Sequence, residues 1–209
     1  MENLGIYFQI PFCASKCSFC NFSSQVARGR IFDEYTRAVE MEIARLLSLY
    51  EAAGIGNDLH LLPVDTVYIG GGTPSLVGAE RLECMLKGLE GRFDLATVAE
   101  FTLEVTPGSA DGLFLEKARA LGINRLSIGA QTFDDRELRS VGRLHSAADT
   151  SDLVEQARRA GLDNISLDLI AGLPHQTEDS WPRTLRTAIA LRPEHISVYC
   201  LEIHPDTPL

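Results

Sequence analysis

Short runs rich in branched residues alternate along the chain with longer stretches whose apolar residues recur at helical spacing. The short runs, at 4–10, 65–70, 100–105, 125–129, 165–170 and 195–201, predict six strands. The stretch 32–53 puts Tyr35, Val39, Ile43, Leu46, Leu47 and Tyr50 at helical spacing and ends at Gly54. Further helices are predicted over 78–89, 110–121, 147–160 and 177–191. Gly122, Gly161 and Pro193 stand beyond the last three, where residues that stop helices are expected.

Strands that alternate with helices imply parallel pairing through right-handed crossovers. Six such units form either a doubly wound open sheet or an incomplete barrel, and the pattern alone does not separate the two. Both architectures place their chemistry at the carboxyl ends of the strands. The chain stops at Leu209, in the loop after the sixth strand and without a helix to follow it. We therefore expect residues 1–209 to be one incomplete domain of a longer protein.

Composition narrows the class. Of 209 residues, 19 are Lys or Arg and 29 Asp or Glu, a net charge of −10. That balance argues against a face for nucleic acid or another polyphosphate. No apolar run approaches the roughly 20 residues of a membrane helix. Residues 1–12 lack the basic start of a signal peptide and carry Pro11, so a cytoplasmic location is expected. In that compartment, clustered cysteines suggest metal or redox chemistry rather than disulfides.

The cysteines are clustered. Directly after the first strand, Cys13, Cys17 and Cys20 stand at C-x3-C-x2-C spacing. Three thiolates on one short loop suit three corners of an iron–sulfur cubane. A structural zinc site would want a fourth ligand nearby, and residues 21–24 supply none. A missing fourth ligand leaves one iron open. Cys84, on a helix, and Cys200, on a strand, are expected in the core.

The other strand ends are polar or glycine-rich. The second strand runs into Gly70-Gly71-Gly72-Thr73-Pro74-Ser75. By itself a glycine run is a turn as readily as a cradle for a ligand. The third ends near Glu104, the fourth leads into Gln131, and the fifth carries Asp168. Several such residues converging on one mouth suggest a binding site. Arg143 and His145 read by default as surface residues, although an arginine suits a carboxylate. His60, His175, His195 and His204 show no ligand spacing, and Trp181 reads as packing.

Together these motifs resemble a known family. C-x3-C-x2-C followed by G-G-T-P-S looks like the radical S-adenosylmethionine enzymes. The stretches Y-F-Q-I-P-F-C, I-G-G-G-T-P-S, L-S-I-G-A-Q-T-F and D-L-I-A-G-L-P resemble the anaerobic coproporphyrinogen III oxidase family, which includes the HemW haem chaperones. The resemblance implies a partial (β/α)6 barrel, a [4Fe-4S] cluster on Cys13, Cys17 and Cys20, and S-adenosylmethionine chelated at the open iron. One electron from the cluster would then release a 5′-deoxyadenosyl radical. By position, Tyr7, Phe19, Gly71, Gly72, Thr73, Glu104, Gln131, Arg143 and Asp168 match residues lining one or two cofactor positions, and Glu202 matches less distinctively.

Two features set the chain apart from the oxidases. They carry a further cysteine two residues after the last ligand, where this chain has Phe22, and a long arm before the first strand. Both differences favour the haem chaperone subgroup, with haem or a porphyrin, an electron donor and haem-accepting proteins as implied partners. Gln9 stands where the family usually has histidine. Oxidative decarboxylation of coproporphyrinogen III is the competing function, and a zinc-stabilised binding module is a third.

Overall fold

The computed structural model describes residues 3–54, 62–96 and 98–209; His60 lies outside them. The elements run β1 (Leu4–Ile10), β2 (Phe12–Cys13), β3 (Gln25–Val26), α1 (Ile31–Ala52), β4 (Val64–Gly71), a 3-10 turn (Pro74–Val77) and α2 (Ala79–Glu90). They continue with β5 (Glu100–Val105), α3 (Gly112–Ala120), β6 (Arg125–Gln131), α4 (Asp135–Ser140), α5 (Ala147–Arg159), β7 (Asn164–Ala171), α6 (Ser180–Ala190) and β8 (His195–Cys200). Three helix starts have a side-chain cap. The carboxylate of Asp111 accepts from Phe114 N, that of Asp134 from Arg136 N and Glu137 N, and Ser146 forms a reciprocal capping box with Asp149.

Six strands pair in parallel in the order β1-β4-β5-β6-β7-β8, which is chain order. A doubly wound sheet needs a point where the order reverses. Here every crossover steps the same way, so right-handed connections put all the helices on one face. That topology selects the partial barrel over the open sheet.

The two faces of the sheet differ in chemistry. Val67, Ile69, Leu103, Leu126, Ile128, Leu167 and Leu169 are at most 1% exposed and pack under the helices. Burying each such side chain contributes about 2 kcal/mol. The alternate positions are polar: Thr66 and Tyr68 on β4, Thr102 and Glu104 on β5, Ser127 on β6, Ser166 and Asp168 on β7. A parallel sheet covered on both faces would be apolar throughout. The alternation instead directs one face into a polar interior, where the site lies.

Some expectations need correction. Cys84 and Cys200 are exposed rather than buried. The buried stripe of α2 is Ala79, Leu82, Met85, Leu86 and Leu89, and position 84 falls on the opposite side. Cys200 ends β8, which among the described strands pairs with β7 and is largely exposed. Trp181 packs against the core as expected. The strand predicted over 125–129 extends to Gln131, with an irregular register after Ile128.

A candidate cluster and cofactor cavity

The cysteine loop is fixed at its base and at its far side. Phe12, 1% exposed, packs its ring 5.2 Å from Phe32 and 5.0 Å from Tyr35. The two-residue pairing of β2 with β3 closes the loop, joined by Gln25 N donating to Pro11 O and Ala27 N to Cys13 O. Inside it, Lys16 Nζ donates to the carbonyls of Phe22 and Ser24, each at 3.2 Å. At the far side, Ser18 N donates to Val141 O and Leu209 N to Ser18 O, both at 3.1 Å. Cys13, Cys17 and Cys20 are half-buried free thiols, and all three line one cavity of about 890 Å³.

The glycine turn forms the next wall. Gly72 N donates to Ile10 O at 2.8 Å and Thr73 N to Phe12 O at 2.7 Å, so the turn lies directly on the backbone leading to Cys13. A Cβ at Gly72 would lie 2.4 Å from Phe12 O, and only glycine permits that approach. Gly71 N also donates to Glu104 Oε2 at 2.9 Å, while Tyr68 Oη donates to Glu104 Oε1 at 2.9 Å. Burial raises the Glu104 pKa above the ordinary carboxylate value; the two hydrogen bonds oppose that rise and nearby Asp168 adds to it. Tyr68 is raised in turn, chiefly by burial and then by Glu104.

The remaining walls come from later units. Asp168 accepts from Ser127 Oγ at 2.8 Å. Gln131 ends β6 with φ 64, a left-handed conformation that non-glycine residues seldom adopt. Arg143 donates from Nη2 to Gly129 O at 2.5 Å and from Nη1 to Cys17 Sγ at 3.5 Å, a second tie between the fourth unit and the cysteine loop. His145 is 6% exposed, which corrects the surface reading: its backbone turns inward after α4, and it contacts Ala130 O at 3.4 Å.

Of the residues singled out from sequence, Cys13, Cys17, Cys20, Phe19, Gly71, Gly72, Thr73, Glu104, Gln131, Arg143, Asp168 and Glu202 all line this cavity. Tyr7 does not. It stacks on its register partner Tyr68, with ring centroids 5.7 Å apart, and so stands one residue behind Glu104. Sequence reading missed Tyr68 and Ser127, whose hydroxyls hold the two carboxylates. Each lies two positions before a strand-end glycine, Gly70 or Gly129, and therefore on the same face; the period-2 rule could have found them. Asn21 and His204 were also missed: Nδ2 of one and Nε2 of the other are 3.0 Å apart across the cavity lip. Their separation of 183 positions leaves no local signal.

His145 is expected to make the protein acid-sensitive. Burial and then the Arg143 charge lower its pKa from 6.5 to about 4. The folded state therefore resists a proton that the unfolded chain accepts. This stability is fully present above pH 6.5 and is lost as pH falls toward 4. Allowing for partial solvent screening, we expect a loss of about 2 kcal/mol across that window. Urea unfolding at pH 7 and pH 4.5 measures it, and His145→Gln should flatten the difference. An equally steep decline in the variant would assign the acid sensitivity elsewhere.

The donor set and the shape fit an iron–sulfur cluster with an amino acid-bearing cofactor. The cavity volume lies in the range of small-molecule sites. Three thiols share one wall, and a glycine turn that tolerates no Cβ presents its backbone beside them. Arg143 Nε and His145 Nδ1, on residues that line the cavity, are buried without a hydrogen-bond partner, an unmet donor and an unmet acceptor. The described residues hold no trio of His, Cys, Asp or Glu gathered around a single ion. Cubane ligation asks for thiolates on three separate irons instead.

Comparison with known proteins decides the family. The model of the radical SAM superfamily matches residues 7–188. The chain belongs to the radical SAM superfamily. Among curated relatives, the haem chaperone HemW of Escherichia coli is 35% identical over 206 residues, covering 98% of this chain and 52% of that protein. HemW of Synechocystis is 37% identical, covering 96% and 48%. Mitochondrial radical S-adenosyl methionine domain-containing protein 1 of Bos taurus is 35% identical, covering 100% and 45%.

The chain thus spans about half the length of these curated relatives. Among solved structures, coproporphyrinogen III oxidase (HemN) from Escherichia coli superimposes with a TM-score of 0.86 at 32% identity, covering 97% of this chain and 45% of that one. The methyltransferase TsrM of Kitasatospora setae, at 17% identity and a TM-score of 0.66, shares the fold. Membership of the radical SAM superfamily implies a [4Fe-4S] cluster and S-adenosylmethionine. No described helix is long and apolar enough to cross a membrane.

Proposed function

We propose that this chain is the radical SAM core of a haem chaperone, a protein that binds haem and retains the cluster and S-adenosylmethionine while passing haem to acceptor proteins. The observation that carries the reading is the loop after Cys20. Phe22 stands where the resemblance gives the oxidases a further cysteine, and it is 65% exposed at the cavity lip. The HemW names of relatives that match 96–98% of the chain support it.

When bound, the [4Fe-4S] cluster supplies one electron to the sulfonium of S-adenosylmethionine. In this reading Cys13, Cys17 and Cys20 hold the cluster. Gly71, Gly72 and Thr73 present backbone groups to the methionine end of the cofactor. Glu104, Gln131, Arg143 and Asp168 orient its polar groups, and Glu202 closes the rim. Tyr7, stacked on Tyr68 beside Glu104, is carried from the resemblance as a further contact of the cofactor. Phe19 and Leu201, which pack against Val141, Ile170 and Leu173, shield this side from water. An electron donor for the cluster completes the partner set.

Anaerobic incubation of the full-length, cluster-reconstituted protein with coproporphyrinogen III, S-adenosylmethionine and a reductant, beside a separate titration with haem, tests the reading. We expect haem to bind, giving a new absorbance band, and no protoporphyrinogen IX to form. Robust protoporphyrinogen formation would replace the chaperone by the oxidase. Iron and sulfide analysis yielding zinc instead of about four irons per chain would overturn the cluster itself.

A further inference from the structure

Glu137, on α4, is 1% exposed although it is a carboxylate. Its donors are neutral groups from three other segments. Thr132 Oγ1 donates to Oε2 at 2.6 Å, Gln176 Nε2 to Oε2 at 3.3 Å, and Ser180 Oγ to Oε1 at 2.5 Å. The Thr132 hydroxyl, its proton committed to Glu137, accepts from Asp134 N at 3.2 Å and lies 3.0 Å from Thr184 Oγ1. Thr184 Oγ1 in turn accepts from Phe133 N at 3.1 Å. Gln176 extends the network to β7, donating to Ile170 O at 3.2 Å and accepting from Gly172 N at 2.5 Å. Such a chain of donors polarises its members and fixes one arrangement.

Position makes this network more than packing. Thr132 directly follows Gln131, whose φ of 64 needs an external restraint to persist. Four residues beyond Glu137, Val141 O accepts from Ser18 N of the cysteine loop, and two residues further Arg143 reaches Cys17 Sγ and Gly129 O. One buried carboxylate therefore ties the turn after Gln131 to the helix that precedes Arg143.

We propose that Glu137 is a positioning residue for S-adenosylmethionine, acting through Gln131 and Arg143. The proposal rests on the reading of the cavity as the site of that cofactor. Glu137→Gln keeps the volume but turns one acceptor into a donor that faces donors. Thr132→Val removes the hydroxyl that joins Glu137 to the Gln131 turn, and Thr132→Ser retains it.

In the full chain with a reconstituted cluster, we expect Glu137→Gln and Thr132→Val to raise the Kd for S-adenosylmethionine on the order of tenfold. Thr132→Ser should stay close to wild type. The shift of the reduced cluster's electron paramagnetic resonance signal on adding the cofactor should need correspondingly more cofactor in the two weakened variants. A merely structural network predicts lower thermal midpoints with unchanged Kd in the folded protein, and that result overturns the proposal. Should Glu137→Gln fail to fold, the contrast between Thr132→Val and Thr132→Ser decides alone. Wild-type protein that holds a cluster yet binds no S-adenosylmethionine would instead defeat the reading of the cavity.

Discussion

Cys17→Ala is expected to remove the visible absorbance of the reconstituted protein while leaving the sheet and helices in place. Each thiolate of the loop would serve a different iron, and removing one leaves two anchors where a cubane needs three. Cys17 also receives Arg143 Nη1 at 3.5 Å. The fold should survive, since Cys17 is half-buried on a loop and belongs to neither hydrophobic cluster. Loss of its side chain should change apo-protein stability by less than about 1 kcal/mol. Iron content, visible absorbance and far-ultraviolet circular dichroism of wild type and variant measure both halves of the expectation. A variant with undiminished absorbance and about four irons would show that the cluster has other ligands.

Gly72→Ala should do comparable damage by a different route. The added carbon would lie 2.4 Å from Phe12 O and 2.9 Å from both Phe12 C and Phe12 N. Neither side yields easily. The Phe12 ring is wedged against Phe32 and Tyr35, and Gly72 N is bonded to Ile10 O at 2.8 Å. Overpacking of this kind costs about 3 kcal/mol, which in a domain of this size lowers Tm by roughly 10 °C. The strain falls on the backbone that enters the cysteine loop, so cluster retention should drop along with stability. Gly91→Ala serves as the control, because nothing lies within 4 Å of its added carbon. Equal melting temperatures for the two variants would refute the close approach.

How much of this was written in the sequence differs from element to element. The six strands of the sheet and the five longer helices were legible because each has a period and a stop signal. The barrel-like order was not, since periodicity says nothing about which strand pairs with which. β2 and β3, two residues each, are too short to carry a period, yet their pairing closes the cysteine loop. The cavity wall was legible where chemistry sits at strand ends, as at Glu104 and Asp168. It was missed one layer deeper, at Tyr68 and Ser127, and across long separations, at Asn21 with His204. Cys84 and Cys200 show the limit of residue type as a guide: cysteine prefers the interior, but the face of α2 and the single pairing of β8 decide otherwise.

The strand order carries a further meaning for how the molecule is held together. Because each strand of the main sheet lies beside the one written before it, every pairing in that sheet joins neighbours in chain order across a single crossover. The cysteine loop breaks the rule. Its cysteines stand at 13–20, yet the contacts that fix its far side come from Val141, Arg143 and Leu209, the arginine 126 positions beyond Cys17. The far side of the loop therefore depends on the fourth unit being in place. The loop is held by segments that follow it far along the chain.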